Sequence, residues 1–429
     1  MVIAAGAAAS DWPQWRGPNR EDISPERSGW PGGWPPKRLW DRDVGTGCTS
    51  PILAGGRLYV LGWTGQGRAA GTDTLYCLDA RTGRQLWTQS CPAPYHARLA
   101  TGDEGAYGGP SSTPTLDPAT GHLYTLSLDG DLRCWDTARD GRPVWGKNLY
   151  DEFKVGQRPD AGRGRRDYGF PSSPLIRGDS LVVEVGAPGR AAAKPGGTVV
   201  AFDRKTGTRR WVSEYDRPAG HSGGPVLMQV AGRDCLVTLA LGHLVVMRAD
   251  PGHEGRTLAA VKWQTDFANN IPTPAVSGPR IVVSSAYNVS RTALLEVTPA
   301  GVREVWHTKD HSKVSSPVIF KGRVFLADGD LKCLDLATGR TMWRGPNVGH
   351  GSCLVTAGDE RLLVFGQGRL LLFEALPAGG RATELSRVEK VVPSTCYPHV
   401  ALSGGLIACK DRQGNLVCFS VRGPADLLP

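Results

Sequence analysis

Leu75-Tyr-Cys-Leu-Asp79-Ala-Arg-Thr82-Gly83-Arg-Gln-Leu-Trp87 decides the fold, because the chain repeats this phrase. It returns as Val199-Val-Ala-Phe-Asp203-Arg-Lys-Thr206-Gly207-Thr-Arg-Arg-Trp211 and as Leu331-Lys-Cys-Leu-Asp335-Leu-Ala-Thr338-Gly339-Arg-Thr-Met-Trp343. A degenerate copy runs from Leu132 through Asp136 and Gly141 to Trp145. Each copy reads as strand, tight turn, strand. Alternating apolar residues suit a pleated strand with buried faces. The Asp side chain caps the turn through backbone N–H groups, and Gly takes the positive φ that a hairpin turn needs. The closing Trp is a rigid apolar plate suited to packing between neighbouring sheets.

A second phrase precedes each copy: a Ser- or Thr-Pro step, an apolar run and a Gly turn. It stands at Ser50-Pro51, Thr113-Pro114, Ser173-Pro174, Thr273-Pro274 and Ser316-Pro317. Gly224-Pro225 and Tyr397-Pro398 are variants, and Ser352-Cys353 stands in for one. A strand such as Arg57-Leu-Tyr-Val60 follows. One unit is therefore four short antiparallel strands, a propeller blade. The closing aromatics are Trp40, Trp87, Trp145, Trp211, Trp263, Trp306 and Trp343, with Leu385 as the eighth. Their spacing of 37 to 66 residues suits blades plus loop insertions. Trp40 precedes the first Pro phrase, while the last unit ends at Leu416-Val-Cys-Phe-Ser420 without a closing Trp strand. The expected fold is all-β, an eight-bladed β-propeller of four-stranded antiparallel blades. An N-terminal strand near Trp40 is expected to close the ring and remove its open edge.

Composition agrees. Gly and Pro make up about a fifth of the 429 residues, a density of turns that short strands require. The net charge of +9 is scattered, with Lys and Arg in turns beside Asp and Glu, so no nucleic-acid module is expected. No segment after the first ten residues has eighteen uncharged apolar residues, and none is expected to span a membrane. Residues 1–10, small and apolar, read as a signal-peptide remnant or a disordered leader. Residues 11–36 form a Trp-rich segment, 37–422 the propeller, and 423–429 a tail. Trp12, Trp15, Trp30 and Trp34 either pin the head onto the propeller or form an exposed contact surface.

The repeated phrase resembles the tryptophan-docking repeat of PQQ-like (pyrroloquinoline-quinone repeat) propellers. That group includes quinoprotein alcohol dehydrogenases and the outer-membrane assembly scaffold BamB. The head Trp12-Pro-Gln-Trp15-Arg-Gly-Pro-Asn-Arg20 is similar to the opening of exported PQQ-like repeat proteins abundant in planctomycetes. Asn148-Leu-Tyr-Asp-Glu-Phe153, Tyr168-Gly-Phe-Pro-Ser-Ser-Pro174 and Asn270-Ile-Pro-Thr-Pro274 also resemble that group. The resemblance spans about residues 11 to 422. It implies an exported protein, periplasmic or associated with the cell envelope, and a monomer is expected.

Propeller ligands usually meet the loops at one mouth of the channel. Here the loops before the innermost strands carry Thr46, Cys48, Tyr107, Tyr168, His221, Asn269, Asn270, Lys313, His350, Cys396 and His399. This polar, aromatic and titratable set is the candidate binding funnel for an unknown protein or small-molecule ligand. Cys48, Cys353 and Cys396 adjoin the ring closure, and are candidates for a disulfide or, with His350 or His399, a soft-metal site. Cys77, Cys134, Cys333 and Cys418 recur at one position of the repeat and read as small buried hydrophobes. No H-E-x-x-H helix is present. The resemblance implies PQQ and calcium for the dehydrogenase branch, but the adjacent Cys pair common there is missing. No catalytic residue is therefore assigned, and no cofactor is expected. The leading reading is a non-catalytic, extracytoplasmic binding or scaffold propeller. A quinone- or metal-dependent oxidoreductase and a BamB-like outer-membrane assembly module are the alternatives.

Overall fold

A computed structural model describes residues 11–66, 70–94, 109–154, 169–186, 197–265, 270–287 and 289–422. Eight sheets follow one another along the chain. The first consists of Ile52–Ala54, Arg57–Gln66, Ala70–Asp79 and Gln85–Pro92, paired in that order. The next six span 115–148, 175–212, 226–262, 275–308, 318–350 and 352–388. In the sixth, one continuous strand, Arg323–Asp335, supplies two blade strands. Fully extended it would be about 40 Å long. Yet Arg323 Nη1 lies 3.0 Å from Asp335 Oδ2, so the strand doubles back near Gly329, whose φ is +65°. The eighth sheet is Ala401–Ser403, Leu406–Lys410 and Asn415–Ser420, with Lys37–Asp43 as its outer strand. Trp40 there stands opposite Cys418.

Apolar side chains pack between neighbouring blades. One cluster joins the sixth and seventh blades through Phe325, Leu331, Leu362 and Phe373, and another joins the second and third through Tyr124, Leu132, Leu181 and Phe202. The repeated phrase makes these joints specific. Asp79 Oδ1 accepts from the N–H groups of Arg81 and Thr82 and from Thr82 Oγ1, closing the turn. Asp203 and Asp335 do the same in their copies. The turn glycine then receives the indole of the preceding blade. A Cβ on Gly83 would come within 2.6 Å of Trp40, one on Gly141 within 2.5 Å of Trp87, and one on Gly207 within 2.8 Å of Trp145. Several indoles also donate to a carbonyl of that turn: Trp40 to Ala80 (3.0 Å), Trp145 to Arg204 (3.1 Å) and Trp306 to Leu336 (2.9 Å).

The register between third and fourth strands slips at the docking position in all eight blades, leaving one bulged residue on the outer strand. This register locates the docking residues. Trp40, Trp87, Trp145, Trp211, Trp306 and Trp343 occupy the position. The fourth blade has Ala259 there, opposite Val246, and Trp263 lies four residues beyond it. The seventh has Ser386, opposite Leu372, and Leu385 is the bulged residue. Volume is exchanged across the pair. Five of the six tryptophans face Cys or Ala (Cys77, Cys134, Ala201, Cys333 and Cys418), whereas Ala259 and Ser386 face larger residues.

The meander sorts the loops between two mouths. Inner strands start at one mouth, which also carries the turns between second and third strands, including Asp328–Asp330 and 411–414. They end at the other, beside the Gly turns at 55–56, 178, 278, 322 and 404–405.

Candidate functional site

The Ser/Thr-Pro residues build a hydroxyl belt around the channel. Ser50 N–H donates to Thr113 Oγ1 (3.0 Å), Thr113 N–H to Ser173 Oγ (2.9 Å), and Thr273 N–H to Ser316 Oγ (3.0 Å). Gly223 N–H donates to Thr273 Oγ1 (2.9 Å), and His399 N–H to Ser50 Oγ (2.8 Å) across the ring closure. Each hydroxyl thereby ties one blade to the next. The Pro removes a backbone donor from the inner edge, where none is needed.

Within the belt the head segment fills the axis. Trp12 exchanges hydrogen bonds with Leu53 (2.6 and 3.0 Å), and Leu116 N–H donates to Pro13 O (2.8 Å). Arg16 and Arg20 are almost wholly buried, 1% and 2% exposed, as is Asp22. Arg16 pairs with Asp22 (2.5 Å) and donates to Pro317 O on the sixth blade. Arg20 spans the channel the other way, donating to Ser173 O (3.2 Å), Pro174 O and Pro225 O (3.0 Å). Burial brings its guanidinium down to about 9, with Glu184 opposing and Arg16 adding to the fall, so it stays charged at neutral pH. Asp22 also faces His399 Nδ1 at 3.2 Å, and Trp15 lies 4.2 Å from the His399 ring. Burial drives the Asp22 carboxyl up, but the positive charges and hydrogen bonds of His399 and Arg16 outweigh it, leaving the group below its ordinary value. Ile23–Ser24 then leaves as a parallel partner of Val355 and Thr356.

A second polar group lies on the rim. Asp328 Oδ2 accepts from the N–H groups of Lys313 (2.7 Å), Val314 (2.6 Å) and Ser315 (3.2 Å), and from Ser312 Oγ (3.2 Å). Its Oδ1 meets His350 Nδ1 at 2.9 Å, and the His350 ring stacks on Tyr397 at 5.9 Å. Lys313 Nζ sits 4.8 Å above the ring of Tyr287, a residue held at φ +62°. Burial raises the Asp328 carboxyl, while the His350 bond and charge and the loop N–H groups lower it further than burial lifts it. The carboxylate thus locks one loop and one imidazole. It sets out a half-exposed cation and two half-exposed aromatics, a set suited to recognising polypeptide.

Of the residues singled out from sequence, Lys313 and His350 come together here. His399 lies instead on the axis against Asp22. Asn270 is a buried staple, its amide donating to Ala240 O, Leu241 O and Trp263 O at 2.9 to 3.0 Å. His221 N–H donates to Asn270 O (3.2 Å). Thr46 bridges to Trp63 in the first blade. Tyr107, Tyr168 and Asn269 lie outside the described residues. The three thiols do not converge, because they stand in separate surroundings. Cys353 packs between the sixth and seventh blades, Cys396 accepts from Gly368 N–H in another cluster, and Cys48 N–H bonds Pro110 O. All ten cysteines are free, and among the described residues no three His, Cys, Asp or Glu side chains are grouped to hold a metal ion. A planar quinone laid across the axis would have to displace Trp15 and the Arg16–Asp22 pair, so the residues present do not fit it.

Arg16, Arg20 and Asp22 were not among the residues picked out from sequence. A signal for them existed. The fourth blade has Gly223-Gly224 where others carry Ser or Thr. A Cβ on Gly224 would lie 2.9 Å from Arg20 Nη1, and one on Gly223 2.5 Å from Trp15 Nε1.

Fold, docking turns and hydroxyl belt together define an eight-bladed propeller of PQQ-type repeats. Residues 36–145 and 104–345 match the family described as outer membrane protein assembly factor BamB, and the chain belongs to that family. The factor of that name from Burkholderia pseudomallei (strain K96243) is 25% identical over 281 residues, covering 59% of this chain and 67% of that protein. The crystal structure of BamB from Moraxella catarrhalis superposes with a TM-score of 0.59 at 12% identity, over 90% of this chain and 99% of that one. Sqt1 of Saccharomyces cerevisiae reaches 0.57 at 11% identity, over 90% and 100%. At such identities the two superpositions speak for the fold alone.

Proposed function

We propose that the chain is a non-catalytic, extracytoplasmic scaffold propeller that binds a protein of the cell envelope through the rim carrying Lys313, His350, Tyr287 and Tyr397. The observation that carries this reading is the filled axis. With Trp15, Arg16, Arg20 and Asp22 inside the channel, recognition at this mouth falls to the loops around it. The relatives named for outer membrane assembly favour a component of that process as the partner.

The test is a photo-crosslinking amino acid placed at Lys313 or Tyr397, with Val144 on a blade's outer edge as control. Val144 is 43% exposed and distant in the fold from the rim. In native envelopes the rim positions should yield one discrete adduct containing an outer-membrane assembly protein, and Val144 none. Equal labelling from all three positions would refute the rim as the binding surface.

A further inference from the structure

The other mouth, where inner strands end, contains a cavity of about 890 Å³. Its wall is made by four inner strands, Leu175–Arg177, Val226–Val230, Ala275–Ser277 and Val318–Phe320, each the terminal strand of its sheet. The head segment closes the remaining side with Gln14, Asn19, Glu21 and Ile23. A terminal strand presents backbone donors and acceptors without ladder partners. On two other blades the chain meets that need itself. Trp12 pairs antiparallel with Leu53, and Ile23–Ser24 pairs parallel with Val355 and Thr356. In both cases the partner is an extended stretch of polypeptide, and the cavity continues the same mouth across the third to sixth blades.

The wall is apolar between its polar groups. Ile176, Val276 and Leu227 face the space, and Leu227 is 38% exposed. Arg177 is paired with Asp234, and Lys321 with Glu360. Glu21 differs. It is half-buried, and among the described residues it forms no hydrogen bond or ion pair. Burial raises its carboxyl above the ordinary value, with Arg16 opposing only in part. A cation brought to Glu21 would relieve that cost.

We infer that this cavity takes an extended peptide segment of a partner protein, laid edge-on against one of the inner strands of the third to sixth blades with a lysine or arginine side chain at Glu21. Main-chain pairing gives such binding its affinity, and the charged pocket gives it a preference. The site is separate from the rim at the opposite mouth, so either can fail without the other.

Two fluorescein-labelled nonapeptides of alternating threonine and valine, one with a central lysine and one with a central glutamate, are titrated with the full chain by fluorescence anisotropy. The lysine peptide should bind about tenfold more tightly, and Glu21→Gln should reduce that preference about fivefold. Ser277→Trp, at an exposed position of the wall, should abolish binding of both peptides with an unchanged melting curve. Should that variant melt early, Leu227→Lys serves instead and should selectively repel the lysine peptide. Lys313→Glu at the far rim should change nothing. Absence of saturable binding, indifference to Glu21→Gln, or sensitivity to Lys313→Glu would overturn the inference. So would a dimer that Ser277→Trp converts to a monomer by light scattering, which would give the cavity to a second copy of the chain.

Discussion

Asp22 stands between Arg16 and His399 with no water-exposed surface to fall back on. Its carboxylate neutralises Arg16 and faces His399, and those two residues belong to opposite ends of the chain. Asp22→Asn would keep the shape and leave a buried guanidinium without its counter-charge. A loss of about 3–5 kcal/mol is expected from urea denaturation at neutral pH. The acid limb follows from the direction of the shift. The folded carboxyl lies below its unfolded value of about 3.9, so its stabilisation is complete above that value and is lost as pH falls through the folded one. Asp328 is lowered in the same sense and adds to the same window. Wild type should therefore lose stability steeply below about pH 4, and Asp22→Asn should flatten part of that fall. An unchanged acid limb in the variant would remove Asp22 from this account.

The element that decides blade packing is the turn of the repeated phrase. Its glycine has two duties, a left-handed backbone and contact with a neighbour's indole. They can be separated. Gly207 has φ +71° and would place a Cβ within 2.8 Å of Trp145, whereas Gly178 has φ +54° with no atom within 4 Å of its Cβ position. Gly178→Ala should cost about 1 kcal/mol of backbone strain. Gly207→Ala should cost that and about 1–3 kcal/mol more for overpacking the indole. Tryptophan emission should move only in Gly207→Ala. Equal losses from the two substitutions would mean that docking adds nothing to the joint. The eight bulges also explain why Val144 and Val305 are exposed apolar residues, at 43% and 38%. Each precedes a docking Trp and is the extra residue of its bulge, turned outward.

Across the whole molecule the cysteines report on packing. Eight of the ten are buried, leaving Cys48 and Cys91 half-buried. Burial pushes the Cys77 thiol to about 11 and those of Cys134, Cys333, Cys396 and Cys418 to about 12, keeping them protonated and unreactive. Titration with a thiol reagent should find at most two reactive groups in the native protein and all ten after unfolding in guanidinium. Fewer than ten after unfolding would reveal a disulfide that the structure lacks.

The blades were legible because turn chemistry is local. Asp79, Thr82, Gly83 and Trp87 lie within nine residues and carry their own hydrogen bonds and φ requirement. Trp263 and Leu385 misled because counting aromatics ignores register. Only strand pairing shows Ala259 and Ser386 at the docking position, with the missing volume restored by Val246 and Leu372. The rim was half legible. Lys313 and His350 were visible as titratable loop residues, but Asp328, which holds both loops, sat unremarked inside a strand-like run.

By itself the sequence determined a ring of repeated sheets, since each repeat encodes its own hairpin and its own plate. Only the tertiary structure decided what fills the ring. Arg16 and Arg20 are held largely by carbonyls of Pro317, Ser173, Pro174 and Pro225, as far as 301 residues away. A carbonyl is the same in every residue, so no side-chain pattern announces such a partner before the chain has closed around it.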